Sequence, residues 1–252
     1  MSDDEARPLR LTGVGVGPGD PELVTVKGVN ALRAAGAVVV PVMDTGELGR
    51  AEATVRHYVP ASRVVRVVFA LNERTDRSRR ATAWDAAGAR VAELLAEHGS
   101  VAFATIGDPN VYSTFTYLAH TVAGLLGAAG ELTVETVPGI TAMQDLAARS
   151  GAVLAEGTEP LTLVPVTAGA AVLKDALEGP GTVVAYKFGR LAAEVAAALR
   201  ATGRIEGAVW GSSLGLPEES IRPAAELPDG PLPYLSTLIA PARRDGGRGG
   251  KL

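Results

Sequence analysis

The sequence feature that most constrains the fold is a glycine-rich stretch at residues 14–23, which follows an apolar run and leads into a helical pattern. The run at residues 9–16 predicts a first strand, and the pattern at residues 22–35 predicts a helix. Asp20 is suited to cap that helix, and Pro21 to occupy its first position. Such a strand-to-helix turn is typical of an open α/β sheet, which binds ligands at the carboxyl ends of its strands.

The spacing of this stretch excludes two common nucleotide-binding motifs. A dinucleotide fingerprint has glycine at its first, third and sixth positions, but counted from Gly13 or Gly15 the sixth position is Pro18 or Asp20. A phosphate-binding P-loop has Gly-Lys-Ser/Thr where this chain has Gly-Asp-Pro. An aspartate at a helix N-terminus would also repel a phosphate. The turn is therefore suited to a neutral or cationic ligand.

Composition limits the classes of partner. The 252 residues carry a net charge of −4, which argues against a duplex nucleic-acid partner, because such proteins bind through basic surface. The chain has no cysteine, and His57, His98 and His120 lack the spacing of metal ligands, so we expect no metal site. Residues 1–10 do not resemble a signal peptide and no apolar run reaches membrane-spanning length, so we expect a cytoplasmic protein without membrane contact.

Strand and helix patterns alternate along the first part of the chain. Further strands are predicted at residues 36–43, 63–70, 101–106 and 132–137, and further helices at residues 51–58, 81–98, 112–126 and 140–150. Strands that each lead into a helix predict a parallel sheet with right-handed crossovers. We therefore predict a flexible N-terminus at residues 1–8 and an N-terminal α/β domain at residues 9–150.

The second part of the chain has a different pattern. Strands are predicted at residues 161–166, 182–187, 207–211, 221–226 and 234–240, and helices at residues 170–177 and 191–201. Because the last three strands follow one another without helices, the second sheet is predicted to be mixed. We predict a C-terminal α/β domain at residues 151–240 and a disordered tail, rich in arginine and glycine, at residues 241–252.

Three glycine-containing turns are predicted to open on the same edge of the first sheet. They are Gly-Pro-Gly-Asp at residues 17–20, Gly-Asp-Pro at residues 107–109 and Val-Pro-Gly-Ile-Thr-Ala at residues 137–142. Small residues in such turns let the backbone approach a ligand closely. Each motif alone is also compatible with an ordinary tight turn. In this order, the three predict one ligand site.

The ordered set of Gly-Val-Gly-Pro-Gly-Asp-Pro, Gly-Asp-Pro-x-Val-Tyr and Val-Pro-Gly-Ile-Thr-Ala resembles the tetrapyrrole methylases, the S-adenosylmethionine-dependent enzymes of corrin and sirohaem synthesis. The resemblance covers roughly residues 9–240. Within the family, residues 107–114, 155–157 and 186–190 are most similar to the precorrin-2 C20-methyltransferases. The resemblance implies a two-domain class III methyltransferase fold, a methyl-donor site between the domains, a tetrapyrrole substrate, no metal and a homodimer.

The resemblance also implies which residues bind the two substrates. The donor-binding residues would be Pro18, Ile106, Gly107, Asp108, Val111, Tyr112, Thr141, Ala142, Lys187, Leu214 and Tyr234. The candidates for binding the tetrapyrrole are Asp20, Ser113, Arg74 and Arg77. The two arginines belong to a basic cluster that could pair with substrate carboxylates or form a solvated charged surface. The resemblance assigns no catalytic base.

Four of these residues also have a structural interpretation. Asp108 can bond its own backbone as a turn residue, and Asp20 can serve as a helix cap. Tyr112, at the start of a predicted helix, can stack on the tetrapyrrole or pack in the core. Lys187 can be a solvated strand end.

One segment departs from the family pattern. Where relatives commonly have Glu-Arg-Ala-Gly or a close variant, residues 212–215 are Ser-Ser-Leu-Gly, so a charged pair is missing. The sequence leaves open a methylase acting on another ring carbon, on the cobalt-loaded ring or on uroporphyrinogen III, as well as a non-catalytic tetrapyrrole-binding protein. A nicotinamide oxidoreductase is disfavoured by the missing sixth-position glycine.

Overall fold

The computed structural model describes residues 8–44, 46, 48–69, 77–126 and 132–244. The chain divides into two compact units, Met1–Thr141 and Ala142–Leu252. The boundary predicted at residues 150–151 lies at the far end of the helix Ala142–Ser150. This helix belongs to the second unit because Leu146 packs there against Ile239 and its neighbours.

The first unit contains a five-stranded sheet. Its strands are β1 (Leu9–Gly15), β2 (Ala37–Val42), β3 (Val64–Val68), β4 (Ser100–Thr105) and β5 (Leu132–Val137), and its helices are α1 (Val26–Ala34), α2 (Arg50–Val55), α3 (Arg77–His98) and α4 (Phe115–Leu126). The strand order is β3-β2-β4-β1-β5. Every pair of neighbouring strands is parallel, which confirms the predicted parallel sheet.

Both faces of the three central strands of this sheet, β1, β2 and β4, are mostly buried. In β4, Val101 and Phe103 pack in one apolar cluster with side chains of α3 and α4. Ala102 and Ala104 pack in another cluster with side chains of α1 and α2. Because successive side chains of a strand point to opposite faces, burial on both sides explains the nearly continuous apolar runs in the sequence.

The first helix begins later than predicted, so a continuous helix at residues 22–35 is wrong. Residues Pro21–Leu23 form a single 3-10 turn, and the Asp20 carboxylate accepts a hydrogen bond from the N–H of Glu22 at 2.9 Å. The chain is then extended, and α1 begins only after Thr25, whose hydroxyl accepts from the N–H of Gly28 at 3.0 Å. Asp20 thus caps a turn, and Thr25 caps the helix.

The helix predicted from residue 112 begins at Phe115 instead. Tyr112 has a φ of 52°, in the left-handed region, which a right-handed helix cannot include. The Ser113 hydroxyl accepts a hydrogen bond from the N–H of Phe115 at 3.2 Å, as a capping residue does. Tyr112 therefore lies in the loop before α4 and not in its first turn.

The second unit contains a mixed sheet, as predicted. Its strands are β6 (Leu161–Pro165), β7 (Thr182–Tyr186), β8 (Val209–Ser212), β9 (Ser220–Pro223) and β10 (Ser236–Ala240), and its helices are α5 (Ala142–Ser150), α6 (Ala170–Glu178) and α7 (Ala192–Ala201). The strand order is β6-β7-β10-β8-β9. β6 and β7 are parallel, whereas the other neighbouring strands are antiparallel.

The beginning of the predicted disordered tail is ordered in the structure. The N–H of Ala242 donates to the Thr182 hydroxyl at 3.0 Å. The Arg244 guanidinium lies 3.1 Å from the carboxylate of Glu156 and 2.6 Å from that of Glu159. Composition predicted disorder wrongly at residues 241–244 because it does not reveal these partners. Residues 1–7 and 245–252 lie outside the described residues.

Candidate functional site

The three glycine-containing turns meet at one edge of the first sheet, as predicted. β1 lies between β4 and β5, with Gly15 opposite Thr105 and Val14 opposite Val137. Since all three strands are parallel, the turns that follow them open side by side. The N–H of Gly107 donates to the carbonyl of Gly17 at 2.8 Å and joins the first two turns directly.

The three turns pack so closely that only glycine fits at their junction. A Cβ atom on Gly139 would lie 2.1 Å from the carbonyl oxygen of Gly107 and 2.7 Å from the Cα of Gly15. A Cβ atom on Gly15 would lie 2.5 Å from the same oxygen. These distances are far shorter than van der Waals contacts, so the glycines permit a backbone approach that any side chain would prevent.

Asp108 links the second turn to the third. One carboxylate oxygen accepts from the N–H of Asn110, in its own turn, at 2.8 Å. The other oxygen accepts from the N–H of Gly139 at 3.0 Å. Asp108 is therefore a turn residue, as one interpretation of the sequence held, and it also joins two loops. Its contact with the methyl donor stays a prediction.

The other predicted donor-binding residues of the first unit lie in these same loops. Pro18 and Thr141 are buried, whereas Ile106 and Val111 are half-buried. Tyr112 is 42% exposed. Desolvation raises the pKa of the Tyr112 phenol above its ordinary value.

The residues predicted to bind the tetrapyrrole lie in different parts of the first unit. Asp20 closes the first turn, and the Ser113 hydroxyl donates to the hydroxyl of Thr105 at 3.2 Å in the second loop. Arg74 lies outside the described residues. Arg77 is the first residue of α3, and its side chain is likewise outside the described part of the chain.

Three non-glycine residues in the described part of the chain have a positive φ: Tyr112 (52°), Lys187 (59°) and Ser213 (51°). Such a conformation costs on the order of 1–3 kcal/mol and is concentrated at functional sites. Tyr112 lies in the loop after β4, Lys187 follows β7 directly, and Ser213 follows β8 directly. Two of the three are predicted donor-binding residues, and the third precedes Leu214, which is another.

In the second unit, Lys187 and Tyr234 interact. The Lys187 Nζ lies 5.9 Å from the centroid of the Tyr234 ring, within the range of a cation–π interaction. Tyr234 is half exposed. Lys187 is thus more than a solvated strand end, because its ammonium group is positioned by an aromatic ring that has free surface.

Two other predicted residues of the second unit contact its core. Leu214 is 5% exposed, and its side chain packs in a cluster with Leu146 and Val184. Ala142, the first residue of α5, packs against the same cluster. The side chain of Leu214 therefore stabilises the unit, and its contact with the methyl donor stays a prediction.

An ion pair that the sequence analysis missed holds the turn after β8. The Glu219 carboxylate accepts from the N–H of Gly215 at 2.7 Å and pairs with both terminal nitrogens of Arg149. Arg149 also lies 3.7 Å from the buried carboxylate of Asp145. The hydrogen bonds from Arg149, and then the one from Gly215, lower the pKa of Glu219 although burial opposes them. Charges from α5 and from Glu219, the residue just before β9, thus support the segment that lacks the family's charged pair.

Replacing Glu219 by glutamine is expected to lower the midpoint of thermal unfolding at neutral pH but not in acid. Because the pKa of Glu219 is depressed in the folded state, its contribution to stability is present above the ordinary value of 4.5 and is lost as the pH falls through the lower folded-state value. The unfolding midpoints of the wild type and Glu219→Gln, measured between about pH 7 and about pH 3, should converge at the acidic end.

The matched control is Glu226→Gln, because Glu226 pairs with Arg222 on an exposed surface. An exposed pair contributes little, so this variant should differ less from the wild type at neutral pH. A difference between the wild type and Glu219→Gln that persists unchanged in acid would contradict the assigned role of the charge.

Two features of the described part of the chain bear on other classes of site. None of its helices combines the length and the hydrophobicity that a membrane span requires. In the same residues, no three His, Asp or Glu side chains are grouped so that they could hold a metal ion.

Comparison with known proteins gives consistent matches. The family model of the tetrapyrrole (corrin/porphyrin) methylases matches residues 10–228. A precorrin-2 C(20)-methyltransferase of Sinorhizobium sp is 31% identical over 243 residues, which cover 94% of this chain and 96% of that protein. A cobalt-precorrin-2 C(20)-methyltransferase of Salmonella typhimurium is 30% identical over 234 residues, which cover 91% and 95% of the two chains.

A solved structure shares the fold. The uroporphyrin-III C-methyl transferase from Thermus thermophilus, complexed with S-adenosylhomocysteine, has a TM-score of 0.61 at 21% identity and covers 92% of this chain and 97% of its own. The two-domain α/β fold expected from the motifs is therefore confirmed. Because the family model spans most of the residues and two relatives match over nearly their full length, the chain belongs to the tetrapyrrole (corrin/porphyrin) methylase family.

Proposed function

We propose that the protein is an S-adenosylmethionine-dependent C-methyltransferase of cobalamin biosynthesis, which methylates precorrin-2 at C20 to give precorrin-3A. The observation that carries this proposal is the identity of 31% with a precorrin-2 C(20)-methyltransferase across nearly the whole of both chains. The junction of three glycine-containing turns at one sheet edge supports it, because ligands of open α/β sheets bind at that edge.

The three loops fit a cationic methyl donor. Asp20 and Asp108 are the charged residues of the loops, and residues 17–20, 106–112 and 138–142 contain no lysine or arginine. Carboxylates and backbone carbonyls attract a sulfonium ion, whereas a phosphate would find no cation. When bound, S-adenosylmethionine would supply an electrophilic methyl group. The proposed contacts are Pro18, Ile106, Gly107, Asp108, Val111, Tyr112, Thr141, Ala142, Lys187, Leu214 and Tyr234.

The chemistry that we infer is direct in-line methyl transfer. The methyl carbon bonds to C20 as its bond to sulfur breaks, S-adenosylhomocysteine leaves, and C20 then loses a proton. Because C20 of precorrin-2 belongs to an electron-rich, enamine-like system, the protein needs no nucleophile of its own. Holding the two carbons in attack geometry can contribute about 7–11 kcal/mol to catalysis. The close contacts of Gly15, Gly107 and Gly139 and the hydrogen bonds of Asp108 provide a rigid frame for this purpose.

The tetrapyrrole contacts, the assembly and the compartment are also proposals. The exposed ring of Tyr112 offers an apolar face for stacking beside the second turn. Asp20 and Ser113 are proposed to contact the tetrapyrrole, and Arg74 and Arg77 are proposed to pair with substrate carboxylates. A homodimer in the cytoplasm is the state in which we expect the enzyme to act.

The experiment that tests the proposal is incubation of the protein with precorrin-2 and S-adenosylmethionine labelled in its methyl group, followed by NMR of the product. We expect the label at C20. No transfer would indicate a non-catalytic tetrapyrrole-binding protein, and a label at another carbon would indicate a different methylase of the family.

The cobalt complex of precorrin-2 is the second candidate substrate, because the relative of Salmonella typhimurium is named for it. The same incubation with the cobalt complex compares the two rates. Uroporphyrinogen III is the third substrate to include, and faster transfer to it would overturn the proposal.

A further inference from the structure

Two side-chain hydroxyls beside the first sheet hold the first glycine-containing turn. The hydroxyl of Thr54, which is 1% exposed, donates to the carbonyl of Gly19 at 3.1 Å. The hydroxyl of Tyr58 donates to the carbonyl of Pro21. Neither the motifs nor the family resemblance pointed to Thr54 or Tyr58, and each bond joins residues that are distant in the sequence.

The helix that carries Thr54 is itself held firmly against the sheet. Glu52 in α2 is 4% exposed and accepts two hydrogen bonds from Arg66 of β3, at 2.6 and 3.0 Å. Ala51 and Val55 pack in the apolar cluster between α2 and the sheet. A two-point bond between charged groups has a defined geometry, so α2 presents the Thr54 hydroxyl to the turn in a defined position.

The hydrogen bonds of the first turn leave one of its carbonyls available. The carbonyl of Gly17 accepts from Gly107, that of Gly19 accepts from Thr54, and that of Asp20 accepts from the N–H of Leu23. Within the described part of the chain, no hydrogen bond reaches the carbonyl of Pro18. Pro18 is a buried residue, and covering its carbonyl without supplying a hydrogen-bond donor is costly. A bound ligand that donates to it would remove this cost.

We propose that Thr54 and Tyr58 are positioning residues, which orient the first turn so that the Pro18 carbonyl accepts a hydrogen bond from an N–H or O–H group of the methyl donor. The inference rests on the proposed function, which makes S-adenosylmethionine the ligand of this turn. Thr54 and Tyr58 donate hydrogen bonds to the backbone of residues 19 and 21 and do not take part in the chemistry.

The test compares Thr54→Val and Tyr58→Phe, which remove the hydroxyls, with Thr54→Ser, which keeps one. Dissociation constants for S-adenosylhomocysteine are measured by calorimetry, together with the midpoint of thermal unfolding. We expect each hydroxyl deletion to weaken binding about three- to tenfold, the usual effect of one hydrogen bond. Thr54→Ser should bind as the wild type does.

Matched controls separate positioning from general stability. The Thr202 hydroxyl bonds to the carbonyl of Ala198 at a helix end of the second unit, at 2.9 Å, and Tyr117 is exposed on α4. Thr202→Val and Tyr117→Phe should change the unfolding midpoint by as much as the test variants do, or less, and should leave the dissociation constant unchanged.

The outcomes distinguish the inference from the proposed function. If the wild type binds S-adenosylhomocysteine and both hydroxyl deletions bind it equally well, the positioning role is wrong and the proposed function stands. If the wild type does not bind it, both are overturned. If Thr54→Val fails to fold, the other two variants still test the positioning role. The proposal then requires weaker binding by Tyr58→Phe and wild-type binding by Thr54→Ser.

Discussion

Replacing Gly139 by alanine is expected to lower the affinity for S-adenosylhomocysteine at least about 100-fold. The new Cβ atom would lie 2.1 Å from the carbonyl oxygen of Gly107 and 2.7 Å from the Cα of Gly15. Both neighbours are backbone atoms, so the strain cannot be relieved by rotating a side chain, and the second and third turns must separate. Overpacking of this kind typically costs about 1–3 kcal/mol in stability. The displaced turns would also lose the geometry proposed for donor binding.

The matched control for this variant is Gly124→Ala. Gly124 lies inside α4, and a Cβ atom there would meet no heavy atom within 4 Å. Alanine at this exposed helical position should stabilise the protein by about 0.5–1 kcal/mol and leave binding unchanged. Calorimetry with S-adenosylhomocysteine and thermal unfolding give both quantities for each variant. Wild-type affinity in Gly139→Ala would show that the junction of the three turns does not shape the donor site.

The glycine junction shows how much of the site could be predicted from the sequence. The apolar runs and glycine-rich turns are local signals, and strands that alternate with helices allow few topologies. From these, the parallel sheet and the meeting of residues 17–20, 107–109 and 137–142 followed directly. The contacts between Gly15, Gly107 and Gly139 are a consequence of that topology, and the motifs of the family resemblance coincide with it.

Local backbone conformation was predicted less well. The pattern at residues 22–35 has helical period throughout, but Asp20 and Thr25 are both good N-caps, and the structure uses one for a 3-10 turn and the other for α1. Tyr112 fits a helix start by pattern, whereas its positive φ places it in a loop. Such a conformation depends on surroundings that propensity does not describe.

Side-chain partners that are far apart in the chain could not be predicted. Thr54 meets Gly19 and Arg149 meets Glu219 across 35 and 70 residues. Nothing in the local sequence around a threonine in a short helix, or an arginine at a helix end, indicates which distant residue it will bond to. The segment at residues 212–215 therefore seemed to lack support, although Glu219 and Arg149 supply it from elsewhere in the second unit.

Asp108→Ala is expected to weaken binding of S-adenosylhomocysteine about 10- to 100-fold. The carboxylate accepts from the N–H groups of Asn110 and Gly139, at 2.8 and 3.0 Å, so alanine leaves two donors without this acceptor. Each such loss costs about 1–3 kcal/mol where the group is buried, and the bond to Gly139 is partly buried. The second and third turns would then be joined less firmly.

The control for Asp108→Ala is Asp44→Ala. The Asp44 carboxylate accepts from the N–H of Gly46 at 2.7 Å, so it forms the same kind of local turn in an exposed segment. Removing the Asp44 carboxylate should leave the affinity for the methyl donor unchanged, because that carboxylate bonds within its own turn and not to the three glycine-containing turns. A comparable loss of affinity in both variants would contradict a specific role for Asp108.

Asp108→Asn separates two reasons for the expected loss. If Asp108 acts by joining the turns, the amide oxygen of asparagine can still accept from one N–H group, and affinity should fall between those of the wild type and Asp108→Ala. If the negative charge instead attracts the sulfonium ion directly, asparagine should weaken binding of S-adenosylmethionine as much as alanine does and leave binding of the uncharged S-adenosylhomocysteine sulfur nearly intact. Both carboxylate oxygens already accept from the backbone. We therefore expect an affinity for Asp108→Asn between those of the wild type and Asp108→Ala. The ratio of variant to wild-type dissociation constants should be the same for S-adenosylmethionine and S-adenosylhomocysteine.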